Sequence, residues 1–144
     1  MIDIKELRVG DVLLNTEEDA RCSVHSIGRT MGVDSIYTIN DECIYNYTKD
    51  YYEPIIITED LLLKLGFYIE NDNIIQIKYY MLRLNGYRID INKCSNTLGK
   101  DYGIHIDNFS CYSVLSGDIQ YLHQLQNAIF DATGEELNVN ELFK

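Results

Sequence analysis

At 144 residues the chain is long enough for a self-supporting core, and its 23 acidic against 12 basic side chains leave a net charge of −11. That balance argues against a phosphate-binding surface, and no apolar run approaches the ~20 residues needed to span a bilayer. The opening M-I-D-I-K-E-L-R also lacks the long apolar stretch of a signal peptide, so the expectation is a cytoplasmic protein with no membrane contact and no direct nucleic-acid binding.

The first block, residues 7–15, reads L-R-V-G-D-V-L-L-N, a Gly-Asp turn feeding an apolar strand. Residues 21–27 and 35–40 alternate as strands do, with a turn region at 28–32 between them. The run I-Y-N-Y-T-K-D-Y-Y-E-P-I-I-I follows and holds four of the 12 tyrosines and the only proline. Pro54 keeps Glu53 extended and assigns this piece to an edge or a bend. Three or four short strands in so few residues predict a small curled sheet or SH3-like barrel over residues 1–57. Tyrosine gives large contact area at low entropic cost, so Tyr45, Tyr47, Tyr51 and Tyr52 are candidate interface residues. The bland alternative is that half of them pack the strand core by alternation.

The stretch T-E-D-L-L-L-K-L-G-F predicts a short helix capped by Thr58 and ended by Gly66, with Leu61, Leu62 and Leu65 buried and Glu59 and Asp60 at the positive end of the dipole. An antiparallel meander comes next. Asn85-Gly86 is the preferred two-residue hairpin dipeptide, and it pairs Leu84 with Tyr87, Leu82 with Ile89 and Tyr80 with Ile91. The same register sets Arg83 opposite Arg88, either as an anion site or as a pair neutralised by the diagonal Asp90. Residues 102–109 alternate as a strand, with His105 and Asp107 on one face as an acid–base pair would need, or simply as an exposed strand face. Residues 112–115 suggest one more strand.

A C-terminal amphipathic helix is then expected to end near Thr133, before Gly134. Ser116 is its expected N-cap, with Asp118 in the first turn. At roughly 100° per residue Ile119, Leu122, Leu125, Ile129 and Thr133 form the buried stripe, while Gln120, Gln124, Asn127 and Asp131 face water. His123 lies on the flank of the stripe, as a packing residue or a functional one. The whole is α+β, with residues 58–144 forming an antiparallel sheet packed by the C-terminal helix and joined to residues 1–57 as one compact unit.

Cys22, Cys43, Cys94 and Cys111 are read as free thiols of a reducing compartment. Cys22 and His25 have the look of a metal half-site, but on a strand their odd spacing sends them to opposite faces. No second half-site follows, so no metal and no cofactor is expected. Nor does the chain contain G-x-S-x-G, a P-loop, G-x-G-x-x-G or H-E-x-x-H, so no catalytic residue is assigned.

Three blocks together resemble a family of small uncharacterised proteins from gut Bacteroidetes genomes and their phages or mobile elements: E-L-R-V-G-D-V, E-P-I-I-I-T-E-D-L-L-L-K-L-G-F and Y-L-H-Q-L-Q-N-A-I-F-D-A-T-G-E-E-L. In that family the first block typically reads L-R-I-G-N, so Asp11 stands where asparagine is usual, and the middle block here lacks a tryptophan often found there. The resemblance implies an intracellular bacterial or phage-associated protein and carries no known activity. The leading expectation is a non-enzymatic interaction module of phage or mobile-element type, with a protein partner or self-association. The alternatives are an acidic decoy that mimics nucleic acid, and a small enzyme with its site near His105, Asp107 or His123.

Overall fold

The computed structural model describes residues 2–39, 44–74, 77–93, 102–107 and 112–144. The chain is α+β and divides into two compact units. One comprises Met1–Ile56, Tyr121–Asn127 and Val139–Lys144, and the other Ile57–Gln120 and Ala128–Asn138.

The first unit holds five antiparallel strands: β1 (Val12–Asn15), β2 (Ala20–Thr30), β3 (Val33–Ile39), β4 (Ile44–Thr48) and β5 (Tyr52–Pro54). Their order across the sheet is β4-β3-β2-β1-β5, so β4 and the proline-bearing β5 are edges, and the sheet is open among the described residues. A 3-10 turn, Lys49–Tyr51, joins those two strands. Its inner face gathers Ile2, Leu7, Leu13, Cys22, Val24, Ile36 and Tyr52 into one apolar cluster.

The turn expected over residues 28–32 is tighter than the sequence suggested. Strand β2 continues to Thr30, which pairs with Val33 around a two-residue Met31-Gly32 turn with both φ positive, 52° and 83°. The ladder slips by one residue between Val24 and Ser26, which leaves His25 as the extra residue of a bulge. Cys22 is buried and His25 exposed, on opposite sides of the strand.

The second unit begins with α1 (Glu59–Lys64). Thr58 Oγ1 accepts from the Leu61 amide at 3.2 Å. Two reversed bonds close the helix, Gly66 N–H to Leu63 O at 3.1 Å and Phe67 N–H to Leu62 O at 3.0 Å. Five antiparallel strands follow: β6 (Tyr68–Asp72), β7 (Ile77–Leu84), β8 (Tyr87–Lys93), β9 (Tyr102–Asp107) and β10 (Tyr112–Ile119). They form a meander ordered β10-β9-β8-β7-β6. The β7–β8 hairpin turns at Asn85-Gly86, φ 45° and 86°, in the register that its local sequence predicts. One face of the sheet is apolar, with Tyr80, Ile89, Ile91, Tyr102, Ile104 and Ile106 all buried. The other carries Glu70, Asp72, Arg83, Arg88, Asp90, His105 and Asp107, as the register places them.

The last helix, α2, runs Leu122–Thr133. It starts later than expected because Ser116 and Asp118 belong to β10, whose ladder shifts register after Leu115 so that Ile119 pairs with Tyr102. Tyr121 makes a bridge to Ile56. The first helical amide, Leu122 N–H, is satisfied by Ile55 O at 2.8 Å, and Gln124 Oε1 reaches back to the Tyr121 amide at 3.2 Å. The stripe Leu122, Leu125 and Ile129 is fully buried. A last 3-10 turn, Asn140–Leu142, is tied to β2 by Arg21 Nη1, which donates to Leu142 O at 3.1 Å. No helix of the described residues is long and apolar enough to cross a membrane.

Candidate functional site

The charged face of the β6–β9 sheet follows from register. Glu70 pairs with Tyr79, Tyr79 with Asn92, Arg83 with Arg88, Arg88 with Asp107 and Asp90 with His105. Cross-strand partners share a face, so Glu70, Asp72, Tyr79, Arg83, Arg88, Asp90, His105 and Asp107 all project to one side. Six of them, Glu70, Asp72, Tyr79, Arg88, Asp90 and His105, line an open cleft of about 640 Å³ together with Asn71, Asn73 and Ile74.

Asp90 is the hub of that cleft. Arg88 Nε donates to both of its carboxylate oxygens, at 3.1 and 3.0 Å, and His105 Nδ1 stands 3.6 Å from Oδ2. Arg88 Nη2 is 3.6 Å from Glu70 Oε2. The hydrogen bond to Asp90 holds the guanidinium more firmly protonated than an isolated arginine. Asp90 thus meets Arg88, one of the two arginines the hairpin register sets opposite each other, two residues away on its own strand. Beneath them Met81 is buried on the polar face and its Sδ accepts from Tyr68 OH at 3.1 Å.

Four of the five polar candidates, Arg83, Arg88, His105 and Asp107, therefore share one surface. His105 and Asp107 lie on one face, as their alternation predicts, and the register sets Asp107 opposite Arg88 and Asp90 opposite His105. Glu70, Asp72 and Tyr79 had not been singled out. Alternation in Y-I-E-N-D was a signal for them, but it needed the β6–β7 register to be read.

The fifth candidate, His123, belongs to the first unit, in a polar network that ties α2 to the R-V-G-D turn. Residues 8–11 close a turn through Asp11 N–H to Arg8 O at 3.1 Å, and Gly10 occupies its third position at φ 96°, where a β-carbon would be strained. Asp11 Oδ2 accepts from the Arg8 amide at 2.7 Å. Buried Gln126 grips the turn and β1 together: Oε1 accepts from Val12 N–H at 2.9 Å and Nε2 donates to Gly10 O at 3.0 Å. Asn127 accepts from Arg8 Nε at 2.9 Å and donates to Glu6 O at 2.7 Å and to Asp11 Oδ2 at 3.3 Å. The expected water-facing role of Asn127 is thus corrected: its amide is taken up by the Arg8 and Asp11 side chains of the turn and by the Glu6 carbonyl just before it.

The His123 ring is parallel to Tyr121, centroids 5.8 Å apart, and its Nε2 lies 3.7 Å from Glu6 Oε2. Neither ring nitrogen makes a hydrogen bond among the described residues. Burial pushes its pKa below the ordinary histidine value, and the Glu6 carboxylate opposes that shift. An unfolded chain therefore takes up a proton near pH 6.5 that the folded chain refuses, so stability should fall as pH drops below that value. Melting temperatures between pH 7.5 and 5 are expected to decline, and to decline less in His123→Gln. Equal slopes for the two proteins would contradict this assignment.

The tyrosines separate. Tyr45 and Tyr47 lie in β4, where they pair in register with Thr38 and Ile36. Tyr51 is 39% exposed at the 3-10 turn, and its carbonyl accepts from the Thr16 amide at 2.9 Å. Tyr52 is corrected to a core residue: it is 2% exposed, and its hydroxyl is 2.9 Å from Thr38 Oγ1 and donates to Ile36 O at 3.3 Å. A ring held inside the cluster by a satisfied hydroxyl is not offered to a partner.

A third constellation has no local sequence signal. Glu59 Oε2, in the first turn of α1, accepts from Lys78 Nζ and from Tyr80 OH, each at 2.6 Å. The Lys78 hydrogen bond, then that of Tyr80, hold the Glu59 carboxyl below the usual carboxylate range. Burial, then Glu59, raise Tyr80, so this phenol stays protonated and is a clamp on the helix start. Among the described residues no group of three or more His, Cys, Asp or Glu side chains could hold a metal ion. Cys22 is buried, donates to Leu13 O at 3.7 Å and has its thiol pKa raised by desolvation.

No protein-family model, no curated protein and no solved structure matches the chain.

Proposed function

We propose that the chain is a non-enzymatic protein-interaction module and that the charged cleft of its second unit is the surface it presents. The composition of the cleft carries this reading. Among the described residues, three carboxylates and one guanidinium line it, with Tyr79 and His105, and no serine, threonine, cysteine or lysine. Among the described lining residues the His105–Asp90 pair thus has no serine, threonine, cysteine or lysine to activate. A small enzyme using His105 as a proton carrier is the second reading, favoured by the 3.6 Å approach of Asp90. The acidic-decoy reading is less supported, because Arg88 sits among the carboxylates.

The SH3-like description of the first unit belongs to the same proposal. Its support is the order β4-β3-β2-β1-β5, the 3-10 turn before β5 and the long, bulged β2. The kinship with small proteins of gut Bacteroidetes, their phages and mobile elements is also proposed. Two of the blocks that carry it meet in space, through Arg8, Asp11, Gln126 and Asn127.

Capture from a bacterial lysate on the immobilised chain, run beside Glu70→Lys, tests the interaction reading. A protein retained by the parent and lost with the variant is expected, with an unchanged melt because Glu70 is on the surface. Equal capture by both, or none, would contradict it.

A further inference from the structure

We infer that the partner enters this cleft as an extended basic segment that adds a strand to the open edge of β6. The inference deepens the interaction-module reading and rests on it. β6 ends the sheet and, among the described residues, pairs with β7 alone. An edge strand offers one row of main-chain N–H and C=O groups to another chain.

Edges are commonly blunted by charged side chains, above all lysine, by proline or by a bulge. Y-I-E-N-D has no lysine, proline or bulge, and both its charges are acidic, so they repel only an acidic newcomer. It has Glu70 and Asp72, which lie two apart and so face the cleft together, with Tyr68 beside them. An added strand would run about 4.8 Å from β6, with alternate side chains directly beside these two carboxylates. Lysine or arginine at those positions meets negative charge. Acidic residues there, including a second copy of β6, meet repulsion.

The cleft has room for such charges. Glu70 is 56% exposed, and Arg88 reaches it only at 3.6 Å, beyond hydrogen-bond length, while its Nε is held by Asp90. Among the described lining residues three carboxylates accompany one guanidinium, so the local charge attracts an incoming cation. Tyr68, 45% exposed, and Ile74, 92% exposed, provide apolar surface for the aliphatic stems of lysine or arginine.

Selection of random nonapeptides displayed on phage against the intact chain tests this without presuming a sequence. Recovered peptides are expected to carry lysine or arginine at alternating positions. Their binding should fall at least tenfold when alternate amides are N-methylated, and at least tenfold with Glu70→Gln/Asp72→Asn. Asparagine keeps the acceptor that Asp72 offers to the Ile74 amide, and circular dichroism verifies that the double variant is folded. Peptides without basic alternation, no recovered peptides, or basic peptides indifferent to either change would each overturn the inference. If Glu70→Lys still abolishes capture from lysate in those cases, the interaction reading stands and only the strand-addition mode falls.

Discussion

Truncating Leu125 to alanine is expected to lower the free energy of unfolding by about 2–5 kcal/mol, the range for removing a buried leucine side chain. Leu125 is fully buried, with Leu122 and Ile129 equally enclosed one turn to either side. The cost has two parts: the lost transfer of the removed atoms from water, and the cavity that packed neighbours only partly refill. Urea melts followed by circular dichroism read it directly. A loss below about 1 kcal/mol would mean that the helix face relaxes freely, which its complete burial contradicts.

The second large effect is expected at Gln126. Leucine there keeps most of the volume but removes both the acceptor for Val12 N–H and the donor to Gly10 O. Val12 is fully buried in β1, so its amide would lose a partner where water does not reach. An orphaned buried donor costs about 1–3 kcal/mol, and with the second lost bond Gln126→Leu should destabilise by roughly 2–4 kcal/mol. An apolar residue in an otherwise apolar stripe would usually be tolerated. If Gln126→Leu is neutral or stabilising in the same melts, the helix does not depend on its grip on the turn.

These two residues also mark how far the sequence could be read. Leu125 was legible because an apolar stripe at helical spacing is a local signal. The Thr58 cap, the reversed bonds at Gly66 and the Asn85-Gly86 hairpin were legible for the same reason, since each is decided within a few residues. Gln126 carries no such local signal, because its partners lie more than a hundred positions away. Asn127 misled further, since an amide on a helix face suits water and a main-chain lock equally well.

The start of α2 failed differently. Ser116 and Asp118 have the chemistry of a cap, but ladder pairing of β10 with β9 overrides that propensity. The cleft was half legible. Alternation grouped His105 with Asp107, and the hairpin grouped Arg83 with Arg88. What joins the two pairs, and gives His105 to Asp90, is the β8–β9 register, which no local turn chemistry specifies.

Hydrogen exchange of the intact chain, alone and with the protein it captures, tests most directly whether the charged cleft is the docking surface. Slowed exchange is expected in segments covering 68–72 and 87–93, the edge strand and the strand that carries Arg88 and Asp90. Protection confined to the first unit, with those segments unchanged, would contradict it.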